Sequence, residues 1–495
     1  GNIPEPYWRA AGLRSNRYDT APLYPEALAR AQEQLLKLFE NNGYPFARIY
    51  LDSLTWTDAQ AISAYCFVDR GPLVLFDELK LEGDVKISNA YLESYLGIRA
   101  GMPYSREKVL RMRERLQELA FLQEKKDPAI TFWRDKALLT LFLERKKASR
   151  FDFLLGVLPT DQFSGKRVLI TGVLNAALQN QFGLGETLLG RFEQLRPGTQ
   201  ELEIAFSYPY VLQLPFGVDV SFEQYRRDST FNDVIFDLGL RYLLEGGNYL
   251  KAFWNRTNSG LLSVNENQII NNRSLPENLD ILNTRLGLEY HLSQVDYRRN
   301  PRKGWQLLLQ GSIGFKNISP NTQILELEDP QDPAFDFATL YDTLTLSSTQ
   351  YRGHLSLAGF LPLFNSMTVM GRFQGGYIGA DQPIYKNEQY RIGGSRLLRG
   401  FDEEAIFSTV YGVLTLEYRL LLDRNSYIYL FSDFGYIEDI TATSRRFDRP
   451  LGFGGGLTFD TKAGLFGISL ALGRQQENPF DFRNPKIHFG YVSFF

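Results

Sequence analysis

At 495 residues the chain is too long for one ordinary soluble core, so two or more units are expected. With a formal charge of −3 nothing suggests a nucleic-acid surface, and no apolar run of about 18 residues is present to cross a membrane as a helix. Aromatics are 14% (37 Phe, 27 Tyr), Gly numbers 42 and mean hydropathy is −0.25; a transmembrane barrel fits these values, because its lipid-facing and lumen-facing residues alternate and average out.

The chain opens on Gly1-Asn2-Ile3-Pro4, without a basic start or apolar stretch, and so reads as mature or truncated. Residues 1–23 show no periodicity and read as an irregular lead-in. From Pro25, the positions Leu28, Ala31, Leu35, Leu38 and Phe39 predict a helix that stops at Asn41-Asn42-Gly43. Two strand-like runs follow, Arg48–Trp56 and Ala61–Val68. The lone cysteine, Cys66, lies in the second and is expected to be a small buried residue. Next come a strand over Leu73–Leu81, a short helix from Ser88 to Leu96, and a longer helix capped by Ser105 and running to Leu122. Strands Ala129–Trp133 and Ala137–Leu143 close this β-α-α-β-β unit.

From Arg150 helical periodicity ends and alternation begins, bounded by Gly, Pro, Asn and Asp. Sixteen strands are predicted near 151–158, 167–178, 185–195, 200–208, 215–225, 232–243, 248–257, 281–292, 304–315, 349–361, 367–379, 408–422, 426–437, 451–459, 464–473 and 486–495. Short connections such as 245–248, 363–366, 423–426 and 460–463 share one end. The other end holds 258–280, 316–348, 380–407, 438–450 and 474–485, all long and polar, an asymmetry that membrane barrels show. Leu414, Leu416, Tyr418 and Leu420 share one face of their strand, while Val413, Thr415, Glu417 and Arg419 share the other. Charge in lipid is costly, so the second face should line a polar lumen.

Two stretches stand out late in the chain. Arg391-Ile-Gly-Gly-Ser-Arg-Leu-Leu-Arg399-Gly400-Phe401 is a glycine-rich loop with apolar flanks. Phe431-x-Asp433-x-Gly435 places a carboxylate in a strand, and Glu417 offers another. An arginine buried without a carboxylate costs several kcal/mol, so Arg399 is expected to pair with Asp433, with Glu417 as a further partner. The glycines of Gly452-Phe-Gly-Gly-Gly456 are expected to mark a bend. The weakest seam is expected where the first and last strands meet: strand one carries Phe151, Phe153 and Gly156 and runs into Pro159, which lacks a ladder donor, while strand sixteen contains Gly490. No nucleotide loop, nucleophile elbow or metal-ligand spacing is found, so no catalytic residue, cofactor or metal is expected.

Taken in this order, the β-α-α-β-β unit, Arg399-Gly400-Phe401, Phe431-x-Asp433-x-Gly435 and Gly452–Gly456 resemble the BamA/TamA superfamily of outer-membrane assembly and translocation proteins. The resemblance implies a membrane β-barrel of 16 antiparallel strands preceded by α+β POTRA-type periplasmic domains. It divides the chain into a lead-in (1–23), a partial POTRA-like domain (24–72, with no first strand or helix evident), a POTRA domain (73–148) and the barrel (149–495). It implies that the Arg399-Gly400-Phe401 loop enters the lumen and locks onto Asp433 or Glu417. It makes the first–last seam (Phe151, Phe153, Gly156, Pro159, Gly490, Phe495) a lateral gate, with Phe495 similar to a C-terminal aromatic signal. The strand bearing Ile130 and Phe132 would be an exposed POTRA edge. The implied activity is insertion of unfolded outer-membrane protein clients in a Gram-negative outer membrane, contacting its lipid and accessory subunits. A two-partner-secretion-type translocator, a passive channel and an anchoring subunit are the alternatives.

Overall fold

The computed structural model describes residues 24–58, 61–159, 168–196, 198–297, 300–364, 366–440, 445–461, 464–475, 480, 482–483 and 485–494. The expected lead-in 1–23 and Phe495 lie outside them. The chain forms two compact units, residues 1–147 with 182–184, and 148–181 with 185–495.

The first unit contains two modules. Helix α1 (Pro25–Asn41) starts on its proline and buries Ala31, Leu35 and Phe39 along one face. Strands β1 (Arg48–Asp58) and β2 (Ala61–Asp69) pair as an antiparallel hairpin. Ile49 and Val68 pack on Leu35 and Phe39. Farther out Tyr50, Tyr65 and Phe67 are exposed. Cys66, expected to be buried, is also exposed, because the apolar cluster from α1 reaches only the Ile49–Val68 end of the hairpin.

The second module follows the expected order: β3 (Leu75–Gly83), α2 (Asn89–Leu96), α3 (Arg106–Glu118), β4 (Leu122–Trp133) and β5 (Lys136–Arg145). Ser88 Oγ accepts from Tyr91 N at 3.1 Å and Ser105 Oγ from Lys108 N at 3.4 Å, so both predicted caps form. The sheet order is β3-β5-β4, with β3 parallel to β5. Alternation in β5 buries Ala137, Leu139, Leu141 and Leu143. Two boundaries differ from expectation: α3 stops at Glu118, not Leu122, and β4 starts at Leu122, not Ala129. Leu119, Phe121 and Leu122 are all buried, and a short apolar run of this kind satisfies a helix or a strand equally in sequence. The modules join at Gly43, whose N–H donates to Tyr104 O (2.9 Å) and whose carbonyl accepts from Val74 N (2.7 Å). Its φ of +94° is one that suits glycine.

The second unit is a closed antiparallel barrel of sixteen staves. In chain order they are β6 (Arg150–Pro159), β7 (Val168–Gln179), β8 (Thr187–Arg196), β9 (Thr199–Tyr208), β10 (Phe216–Arg227), β11 (Phe231–Leu243), β12 (Tyr249–Leu261), β13 (Asp280–Val295), β14 (Gly304–Ser319), β15 (Ser347–Phe364) and β16 (Met367–Ala380). After a loop containing β17 (Tyr390–Ile392) and β18 (Ile406–Ser408) come β19 (Val410–Leu421) and β20 (Tyr427–Ile440). One stave is shared by β21 (Arg445–Asp448) and β22 (Leu451–Asp460), and β23 (Leu465–Arg474) and β24 (Lys486–Phe494) complete the wall. The sixteen predicted strands are these sixteen staves.

Alternation sets the wall's two faces as expected. Leu414, Leu416 and Tyr418 are exposed on β19, whereas Val413, Thr415, Glu417 and Arg419 are buried. Outward Leu238, Leu240, Leu286, Leu288 and Ile313 continue the apolar exterior, an arrangement that water would penalise and lipid favours. Connections 262–279, 320–346 and 381–409 are long at one end and 422–426 and 461–464 short at the other. The asymmetry is confined to the region from β12 onward; β8–β9 and β10–β11 turn tightly at the long-loop end too, at 197–198 and 228–230. The long connections carry α4 (Glu266–Asn272) and α5 (Thr322–Leu325), absent from the sequence reading. Both are too short to be stable alone; Ile269, Ile324, Phe337 and Tyr341 hold them in a shared apolar cluster.

Candidate functional site

The loop between β16 and β19, residues 381–409, turns into the barrel. Its base is the hairpin β17–β18, Tyr390↔Ser408 to Ile392↔Ile406. Beyond it, Gly393 and Gly394 take φ of +117° and +101°, and Gly394 N donates back to Leu398 O at 3.1 Å. The tip encloses its own apolar cluster, in which Ile392, Leu398 and Phe401 pack with wall residues Tyr411, Val413 and Ile437. The apolar flanks of the loop motif thus do fold back.

Arg399 sits at the end of this tip, 8% exposed. Its Nε and Nη2 donate to Asp433 Oδ2 and Oδ1 at 2.9 and 2.8 Å, a bidentate fork. Its backbone N also donates to Asp433 Oδ2, at 3.0 Å. Nη1 reaches Glu417 Oε2 at 3.0 Å, and Glu417 Oε1 accepts from Arg419 Nε at 2.7 Å. Arg419 in turn donates to Asn300 Oδ1 at 3.1 Å. Asp433 is 0% exposed and Glu417 6%. Two carboxylates thus face the guanidinium groups of Arg399 and Arg419, with the Arg372 cation of β16 close enough to interact with both acids. Burial works against the Arg399 cation, but Asp433 and Glu417 outweigh it and hold its pKa above the usual arginine range. The guanidinium also lies 3.4 Å from the Phe431 ring centroid, a cation–π contact.

Both expected carboxylates thus meet Arg399 in one network. Arg419, Phe431 and Asn300 belong to it and were missed. Arg419 and Phe431 share alternation faces with Glu417 and Asp433, a signal that was available. Asn300 comes from a distant connection, and nothing in the sequence points to it.

The glycines of β22 do more than bend the strand. A Cβ on Gly452 would overlap the Arg399 carbonyl, and one on Gly473 of β23 would overlap the Gly400 carbonyl. Gly400 itself has φ of +92°, with backbone of Leu472 and Gly473 where a side chain would be. The loop backbone therefore lies directly on a glycine slot in the wall. Gly452→Ala is expected to lift the Arg399 carbonyl from its place and weaken the Asp433 fork while leaving the barrel folded. Faster proteolysis within 394–402 in an intact, heat-modifiable barrel would register this; protection equal to the parent would refute the slot.

At the seam β24 pairs with β6 from Ile487↔Val157 to Phe494↔Arg150. Phe151 faces Ser493 and Phe153 faces Tyr491, with ring centroids 5.4 Å apart for the latter pair. Gly156 is opposite His488 and Gly490 opposite Leu154, while Pro159 lies beyond the ladder, paired only with Val168 of β7. The ladder from β24 to β23 is one pair shorter among the described residues, Leu465↔Val492 to Ala471↔Lys486. In the first unit β4 is an edge of its sheet. Its Ile130 is half-buried, and the Phe132 ring packs on Phe46 and Tyr104 at 5.0 and 5.4 Å.

The Omp85 superfamily domain matches residues 180–495. The chain belongs to the Omp85 superfamily. This Omp85 protein is an outer-membrane β-barrel serving protein insertion or transport. No curated protein matches its sequence. Among solved structures it is similar to BamA from Haemophilus ducreyi lacking POTRA domains 1-3, with a TM-score of 0.53 at 12% identity over 99% of this chain and 98% of that one. CdiB from Acinetobacter baumannii gives a TM-score of 0.58 at 14% identity over 96% and 82% of the two chains. CdiB from Escherichia coli gives 0.57 at 14% over 96% and 85%. At these identities the likeness is one of fold.

Proposed function

We propose that this Omp85 protein inserts outer-membrane proteins by parting β24 from β6 and offering the freed edges to an unfolded client strand. The observation that carries the proposal is the short pairing of β24. Among the described residues it holds β6 over eight residue pairs and β23 over seven, whereas β13 and β14 share sixteen. Each unpaired backbone group is costly in lipid, so β24 is the stave that frees with the fewest broken pairs, and an open edge on its β6 side templates an incoming strand by β-augmentation. The gate on this reading is Phe151, Phe153, Gly156, Pro159 and Gly490, with Phe495 after them.

The N-terminal unit is read as POTRA-type and periplasmic, residues 24–72 as a partial module and 73–148 as a complete one. Overlap with a BamA structure lacking POTRA domains 1-3 supports this, since it runs over 99% of this chain and so includes residues ahead of the barrel. The β4 edge would meet clients or accessory subunits through its backbone, because the Phe132 ring is engaged by Tyr104 of its own module and by Phe46 of the preceding one. The lumenal loop, tied to β19 and β20 by Arg399, argues against a passive open channel.

Liposomes holding only this protein test the reading. An unfolded outer-membrane barrel should gain protease protection faster in them than in empty liposomes. Equal rates would favour polypeptide secretion or an anchoring role instead.

A further inference from the structure

At Glu388, eleven residues before Arg399, the same loop makes a second buried attachment that the lock does not involve. The turn Lys386–Glu388 lies against β12–β15, toward the long-loop end of the barrel. Glu388 is 5% exposed and is the hub. Its Oε2 accepts from Lys316 Nζ of β14 at 2.6 Å and from Tyr385 N at 2.9 Å. Its Oε1 accepts from Gln350 Nε2 of β15 at 2.7 Å and Asn283 Nδ2 of β13 at 3.4 Å. Its backbone carbonyl accepts from Arg352 Nη2 at 2.7 Å. Lys316 is 0% exposed, and its Nζ also donates to Pro383 O at 2.8 Å. Beside the hub, Asn387 Nδ2 donates to Ser259 Oγ at 2.7 Å and Leu279 O at 2.8 Å.

We infer that Glu388 and Lys316 form a second lock, which holds the first half of the 381–409 loop in the lumen independently of Arg399. The two locks use different strands, β12–β15 against β19 and β20, and share no residue. A fully desolvated ion pair adds little to stability compared with apolar packing. What it adds is position, since an apolar patch would tolerate a loop that slides and a charged hub with this many partners does not. Neighbouring contacts add to the hub: Gln389 Nε2 donates to Asp439 Oδ1 of β20 at 2.7 Å, and Arg391 lies 3.7 Å from Asp233 of β11. With both locks closed the loop is held in the lumen at these two hubs among its other contacts, and its complete release requires at least both to break. Glu388 and Lys316 are thus positioning residues for lumen closure, whether the client is inserted or secreted.

Hydrogen exchange and conductance of the full chain in lipid test this. Glu388→Lys sets two cations against each other and should speed amide exchange across 383–391 by about tenfold or more, while 394–402 remains protected by Arg399. Arg399→Ala should show the reverse pattern. In planar bilayers each single variant should open intermittently, and the double variant should conduct far more than the sum of the two. Lys316→Glu combined with Glu388→Lys should return protection to 383–391. If the barrel does not tolerate Glu388→Lys, Glu388→Gln keeps the shape, removes the charge and should still raise exchange in 383–391. Both segments loosening together in either single variant would overturn the inference, as would unchanged exchange in 383–391.

Discussion

Arg399→Ala is expected to leave the barrel inserted in the outer membrane and to abolish function in a complementation assay. The variant leaves Asp433, which is fully buried, without the guanidinium that hydrogen-bonds it. Breaking a buried pair in this way costs about 3–5 kcal/mol. That cost falls on the loop, not on the wall, because β19 and β20 pair along their whole register through backbone bonds that Arg399 does not make. Arg399→Lys should restore little, since an ammonium cannot reproduce the fork to Asp433 together with the reach to Glu417. Asp433→Ala should match Arg399→Ala, and Glu417→Ala should be milder. Asp433 accepts three hydrogen bonds from Arg399, one of them from its backbone, and Glu417 accepts one. Wild-type growth of Arg399→Ala with normal barrel levels would show that the lock has no role in activity. A Glu417 effect larger than the Asp433 effect would reverse the assigned order of partners.

A disulfide across the seam is expected to stop client insertion, and a reductant to restore it. Phe153 and Tyr491 are directly opposed on β6 and β24. Opposed antiparallel residues have Cα atoms about 4.5–5.5 Å apart, within the range of about 4.4–6.8 Å that a disulfide spans. Cysteines at both positions, in a Cys66→Ser background because Cys66 is exposed, would tie the strands without changing the register. Folding of an unfolded client barrel, followed by protease protection in liposomes, should fall to the empty-liposome rate when the bond is closed. Acceleration that persists with the bond closed would place the effect in membrane thinning or in the N-terminal unit, and the seam would no longer be the route.

Most of the fold was legible because a barrel wall is written locally. Alternation along β19 fixes which side chains face outward, and backbone pairing with neighbours then determines the rest. The caps at Ser88 and Ser105 were readable for the same reason, as each depends on residues three apart. The end of α3 was not readable. Leu119, Phe121 and Leu122 satisfy either period, and burial against the module's own sheet decided between them.

The candidate site divides in the same way. From the sequence alone follow the sixteen strands, the inward face of Glu417, the place of Asp433 in a strand, and the need of a buried Arg399 for a carboxylate. The charge of the residues and the period of the strands are enough to require these. Only the tertiary structure decided that both carboxylates share one guanidinium, that Asn300 and Arg419 complete the network, and that Gly452 and Gly473 form the slot for the loop backbone. It alone brought Glu388 to Lys316, 72 residues apart in sequence. The physical reason is that a long loop is free to meet any strand of the wall. Its partners are chosen by where buried charges can be satisfied together, a condition set across the lumen and not along the chain.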